Sequence, residues 1–432
     1  MISIIMALVT GVQIVGQVIV ARLFGAHIEL DAFVSAVTIP TVITAVITGT
    51  LNDAILPLIK KKQREGESKG DIYFIKIILI LSFVILISSI CIDFFSIPLI
   101  NMLFGSRGNS FVFFTNKLMK WMIYTMIFSL VGSLSSSYLY SKNKFILPSF
   151  AYLLGSVINL VIIIVLSPYL GIWSMPVAFI AATIVQLIIT FPYKIRYYFI
   201  SALPLLISQD SIREIIFLLK AWIPLIASSF AMRFDNIIIR SFASRLPEGY
   251  IVYTNLASKL FIGLIGIATI GLQTVFFPHL LDLVHRNDLR YSRKQVQKIK
   301  LYGLMLTCCI ILIVTFISPF FMRIVLIGGK FSRTNVEVLI SLFPYLIIPA
   351  VGWGIAQLFF QPIIAIGKQH ILTIINIVAV VFSWFIASLL YVRFDGLIAI
   401  SGGLTVLSFT GIIGAEIIWQ QYLNHNLAQS KQ

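Results

Sequence analysis

Apolar residues run along this chain in blocks of near-bilayer length, separated by short polar turns. The blocks fall at about residues 1–21, 32–58, 72–92, 112–140, 146–166, 172–193, 216–242, 251–280, 301–326, 336–360, 371–391 and 396–419. A helix needs about 20 apolar residues to cross the hydrocarbon core. The pattern therefore predicts an all-α polytopic membrane protein with about twelve transmembrane helices. A β-barrel is excluded, because barrel strands alternate between an apolar and a polar face and lack unbroken apolar runs. The breaks carry turn chemistry: Ser167-Pro168 with Gly171, Pro247-Glu248-Gly249, Gly328-Gly329 and Asp395-Gly396.

The two halves of the pattern resemble each other. Arg22-Leu-Phe24-Gly25 closes the first block and Arg240-Ser-Phe242-Ala243 the seventh, 218 residues on. Ser141-Lys142-Asn143-Lys144 follows the fourth block and Gly367-Lys368-Gln369-His370 the tenth, 226 residues on. Gly171-Ile172 opens the sixth and Gly396-Leu397 the twelfth. A nearly constant offset predicts two six-helix bundles, residues 1–200 and 216–432, joined by a cytoplasmic linker at 201–215 and arranged around a central cavity. Six is even, so the bundles should be parallel repeats related by an axis along the membrane normal.

Composition supports this. The chain is 59% hydrophobic and 11% charged, against about 25% charged in soluble domains, and its mean hydropathy is +1.01. A soluble enzyme is excluded. The net charge of +16 reads as loop charge rather than a nucleic-acid surface, since basic residues of membrane proteins collect in cytoplasmic loops. Of the 32 Lys and Arg, twenty lie after even-numbered blocks or near the C-terminus, ten lie after odd-numbered ones, and Arg233 and Lys259 sit inside. That bias places both termini in the cytoplasm. Cys91, Cys308 and Cys309 lie in or beside apolar blocks without metal-ligand spacing and read as packing residues. The start, Met1 to Val20, lacks a basic leader and reads as the first span.

Polar residues inside apolar blocks need a reason, because an ionised side chain at the bilayer centre costs about 2.5–3.5 kcal/mol on insertion scales. Ser229, Arg233, Asn236 and Arg240 are spaced +4, +7 and +11, one helical face. Asn255, Ser258 and Lys259 share a face of the next block, as do Thr10, Gln13 and Gln17 of the first and Thr41, Thr44, Thr48 and Asn52 of the second, with Asp53 alongside. One reading makes these inter-helix hydrogen bonds or an ion pair of Arg233 or Lys259 with Asp235. The other makes those of the seventh and eighth blocks the wall of a water-filled cavity. Arg233, Arg240 and Lys259 outnumber Asp235, and the excess suits an anionic cargo such as a pyrophosphate. Arg240 has a further option, snorkelling to the interface. Glu416 and Asp93 read as helix ends near the interface. No H-E-x-x-H, P-loop or paired His occurs, so no catalytic or metal site and no cofactor is expected.

Ala21-Arg-Leu-Phe-Gly25, Asp31-Ala-Phe33 and Ile39-Pro40 resemble the opening of the MurJ/MviN lipid II flippase family. In the same order, Ala243-Ser-Arg-Leu-Pro-Glu-Gly249, Phe276-Phe-Pro-His-Leu280 and Gly329-Lys-Phe331 resemble later motifs of that family. The likeness runs over nearly all of the chain. It implies the wider superfamily of multidrug antiporters and oligosaccharide-lipid flippases, with fourteen spans usual in the family itself. It also implies arginines in the first two spans that hold the lipid pyrophosphate; those positions here are Thr10, Gly16 and Thr44, while the cationic position of the eighth span is Lys259.

The expected function is a flippase that moves a polyprenyl-pyrophosphate-linked glycan, lipid II or a related oligosaccharide, across a bacterial cytoplasmic membrane by alternating access. It would act as a monomer in cell-wall or surface-polysaccharide synthesis, with the lipid-linked precursor and membrane lipids as partners and no nucleic acid. Lys259, Arg233, Arg240, Asn236, Asn255, Gln13 and Gln17 are the candidate cargo ligands. Asp235, Asp53 and Asp31 are the candidates for coupling to an ion gradient or to the membrane potential. The alternatives are an O-antigen or capsule flippase, a cation-coupled multidrug antiporter, whose cavity should be acidic, and a non-transporting scaffold.

Overall fold

The computed structural model describes residues 2–193, 209–285 and 289–429. The described residues form helices and no named strand; a lone bridge joins Gly328 to Phe331. In chain order the helices are α1 (Ile2–Phe24), α2 (Ile28–Ala36), α3 (Thr38–Glu65), α4 (Glu67–Phe94), α5 (Ser96–Phe104), α6 (Asn109–Ile123), α7 (Thr125–Ser141), α8 (Ile146–Leu170) and α9 (Ser174–Thr190). They continue as α10 (Gln209–Met232), α11 (Asp235–Ala243), α12 (Tyr250–His285), α13 (Leu289–Phe316), α14 (Ser318–Val325), α15 (Arg333–Ser341), α16 (Phe343–Ala365), α17 (Gln369–Arg393) and α18 (Gly396–Gln429). Helix dominates because lipid offers the backbone no hydrogen-bond partner, so each segment satisfies its own amides.

Ten helical stretches among the described residues are long and apolar enough to span a membrane. The sequence pattern suggested twelve. Part of the difference lies at Ile146–Thr190, which counts as one stretch although α8 and α9 meet at a short 3-10 turn over Gly171–Trp173. The rest lies in α12, where only Tyr250–Gly266 registers, as a shorter apolar helix. Several blocks are also broken. The second divides at Val37, the fourth at Tyr124, the seventh at Arg233–Phe234 and the tenth at Leu342. Gly66 alone links α3 to α4 with φ of +150°, a conformation that only glycine adopts cheaply.

The chain divides into two compact units, Met1–Phe230 and Ala231–Gln432. Most of α10 belongs to the first. Leu218 and Trp222 pack with Ile47, Leu51, Ile55 and Phe74, and the Trp222 indole Nε1 donates to Thr50 Oγ1 at 2.8 Å. The second unit has a core of Phe276, Leu280, Phe360, Ile363, Trp419 and Leu423. Small residues let its helices close up: Gly354 lies against Thr307 and Gly352 against Ser408, where an added Cβ would collide.

Each unit, taken by itself, shows the same order of neighbours. In the first, α3 packs on α4 and α7, α7 on α4 and α9, and α8 on α9. In the second, α12 packs on α13 and α16, α16 on α13 and α18, and α17 on α18. Each unit also inserts a short helix, α5 after α4 and α14 after α13, and the two insertions begin at Ser96 and Ser318, an offset of 318 − 96 = 222. That matches the offsets of the sequence motifs.

Candidate functional site

The polar residues of the seventh and eighth blocks meet in the second unit. The turn at Arg233–Phe234 lets α11 start afresh at Asp235, which suits a helix N-terminus because the dipole there favours an acid. Asp235 is buried, and its Oδ1 accepts from the Asn236 backbone N at 2.7 Å and from Asn236 Nδ2 at 2.9 Å. The turn also corrects the expectation of one continuous polar stripe. It rotates Arg233 out to an exposed position, while Arg240 on α11 is buried.

Arg240 does not snorkel. Its Nη2 donates to Asn255 Oδ1 at 3.0 Å, tying α11 to α12, and both residues are buried. One turn further along α12, Lys259 is exposed. It lies within electrostatic range of Arg240 and forms no ion pair among the described residues. A pairing of Lys259 with Asp235 is therefore absent among the described residues, since Asp235 turns inward to Asn236. Ser258 is also buried and donates to the Thr254 carbonyl at 2.6 Å, within its own helix. The result is an accessible ammonium beside a buried guanidinium on neighbouring apolar helices.

The candidates of the first unit fall in separate places. Gln13 is exposed and Gln17 half-buried on α1. Thr10, at one of the substituted arginine positions, donates its hydroxyl to the Met6 carbonyl at 3.0 Å. Thr41 likewise bonds back to the Val37 carbonyl, so these hydroxyls serve their own helices. The Asp53 side chain lies outside the described residues. Asp31 is buried and pairs with Arg107 Nη2 at 3.2 Å.

Four polar contacts went unread in the sequence. Arg107 reaches Asp31 across 76 positions (107 − 31). Lys300 pairs with Glu416, and its Nζ also lies 4.2 Å from the Phe359 ring centroid. Glu416, taken from sequence as a helix end, thus belongs to a contact between α13 and α18, joined by Gln420 at 2.8 Å. Asp93 pairs with Lys120 at 3.3 Å and accepts from the Tyr124 hydroxyl at 3.2 Å. Arg323 forks onto Glu337 at 2.9 and 3.0 Å. All of these are long-range or cross a turn, and hydropathy carries no trace of such pairings.

The fold matches two classes of solved transporter. One structure, described as lipid II flippase MurJ in an inward closed conformation, aligns with a TM-score of 0.75 at 20% identity, covering 99% of this chain and 87% of the other. Another, an inward-facing multidrug resistance MATE family transporter, aligns with a TM-score of 0.74 at 16% identity, covering 98% and 96%. At such identities the likeness shows the fold: an all-helical multi-pass membrane protein of the architecture that MATE transporters and MurJ share.

The family follows from sequence. A family model described as lipid II flippase MurJ matches residues 20–422, and the chain belongs to that family. A probable lipid II flippase MurJ of Buchnera aphidicola subsp. Acyrthosiphon pisum (strain APS) is 27% identical over 289 residues, 65% of this chain and 56% of that protein. The matched stretch thus spans little more than half the length of that relative.

Proposed function

We propose that this chain is a flippase for a polyprenyl-pyrophosphate-linked glycan, lipid II or a closely related lipid-linked oligosaccharide, working by alternating access in a bacterial cytoplasmic membrane. The observation that carries this reading is Lys259, an accessible cation on an apolar helix beside buried Arg240, without an acidic partner among the described residues. Such a group is expensive in lipid and is suited to an anionic head group. Arg233 and Asn236, at the α10–α11 turn, are its proposed auxiliaries. Asp235 is the proposed coupling carboxylate of the second unit. A cationic drug as cargo would call for the opposite sign. The protein is proposed to act as a monomer, without a cofactor.

Thr10, Gly16 and Thr44, where the family carries arginines, favour a second reading in which the glycan differs from that of lipid II. Depletion of the protein, followed by analysis of lipid-linked precursors, separates the two. Accumulated lipid II supports the cell-wall role. Another accumulated lipid-linked oligosaccharide supports a capsule or O-antigen role, and no accumulation overturns the flippase reading.

Both termini are proposed to be cytoplasmic. The turns at Lys62 and Lys142 are pinned side by side, Gln63 Nε2 donating to Ser141 Oγ at 2.9 Å and Lys142 pairing with Glu67. Lys62→Cys and Lys142→Cys should both resist an impermeant thiol reagent in intact cells and react after permeabilisation. A cysteine at Lys330 should react in intact cells. Labelling at position 62 from outside would reverse the assigned topology.

A further inference from the structure

Among the described helices, α14 has an unusual surface. It spans eight residues, none of them buried. Phe316, Ile317, Phe320, Phe321 and Ile324 are all exposed, by 75, 49, 63, 57 and 60%. Phe316 ends α13 and Ile317 lies in the turn between the helices, while Phe320, Phe321 and Ile324, spaced 0, +1 and +4, share one face of α14. Arg323 points elsewhere, onto Glu337 of α15, and its guanidinium holds that carboxyl below the usual carboxylate range. The ion pair therefore stays charged at neutral pH and is lost only as the pH falls through the lowered value.

A helix this short is not stable alone in water, and an apolar face this complete does not persist against water. Its length of about 12 Å is far too short to cross a core of about 30 Å. What covers the face is indicated by its neighbour. Leu312, Ile313 and Phe316 form the exposed end of the membrane-spanning helix α13, and exposed apolar residues resume in α14 directly after the turn at Ile317. These residues lie at the end of α13 opposite Arg293, Lys294 and Lys298.

We propose that α14 is a bilayer-surface helix, lying in the membrane interface with Phe320, Phe321 and Ile324 among the acyl chains of bulk lipid and Arg323 held clear of them by Glu337. Helices with one apolar and one charged face lie in this way at the boundary between headgroups and acyl chains. The sequence pattern had absorbed these residues into a span ending at 326, because hydropathy does not register a change of direction.

The test uses spin labels on the full chain in liposomes of phosphatidylethanolamine and phosphatidylglycerol, with Cys91, Cys308 and Cys309 replaced by Ala. Labels are placed singly by F320C, I324C and T334C. Positions 320 and 324 should be more accessible to oxygen than to a water-soluble nickel chelate, and at matching depth. Position 334 should show the reverse. A helix crossing the membrane would separate 320 and 324 by about 6 Å in depth, and that result would overturn the proposal. So would nickel-dominated access at 320, which places the face in water, or dipolar broadening between copies, which makes it a dimer surface. F321C provides the same readout if F320C does not assemble.

Discussion

Lys259→Ala is expected to abolish most transport while leaving insertion and folding unchanged. Lys259 is exposed and pairs with no acid among the described residues, so its removal strands no buried charge. Removing a charged contact to a phosphate is worth about 1.5–3 kcal/mol, which corresponds to a drop of about 10- to 150-fold in the rate of flipping by proteoliposomes. Lys259→Arg should retain part of the activity, since charge survives but a planar fork replaces a point charge. Asn255→Ala should weaken transport through position rather than charge, because it removes one hydrogen bond that positions the buried Arg240 guanidinium beside Lys259. Full flipping by the Lys259→Ala protein would remove Lys259 from the cargo site.

Asp31→Ala and Arg107→Ala should each destabilise the protein strongly. The two side chains are 0% and 10% exposed and 3.2 Å apart. Deleting one member of a buried pair costs about 3–5 kcal/mol. The double variant should recover much of that loss. Thermal unfolding of the purified protein in detergent measures all three. Equal loss in the single and double variants would show that the pair contributes nothing as a pair. The contact also bears on Asp31 as a coupling residue, because an acid already matched to an internal cation gives a passing ion little to bind.

The fold was legible where the signal is local. The long apolar helices and the turn at Gly171 follow from composition along a line. What escaped depends on geometry in three dimensions. The seventh block contains no glycine or proline at Arg233–Phe234, so nothing announced the break that separates exposed Arg233 from buried Arg240. Trp222, assigned from sequence to the second bundle, packs in the first unit because its indole finds Thr50. Asn255 was read as a cargo ligand by its place on a polar face; its partner, Arg240, emerges only when α11 and α12 lie together. Lys259 stands out in the sequence because an isolated cation in an apolar run has few reasons to exist.

The two internal copies fasten corresponding places with different chemistry. Position 31 in the first copy falls, at the offset of 222, on position 253 in the second. Asp31 is held by the charge of Arg107, whereas the Tyr253 hydroxyl donates to Asn335 at 3.0 Å, a neutral hydrogen bond. An ion pair fails badly when either member changes, while a neutral bond of this kind carries about 1 kcal/mol. The two fastenings therefore differ in tolerance. Single substitutions at residues 253 and 335 should lower thermal stability less than those at residues 31 and 107.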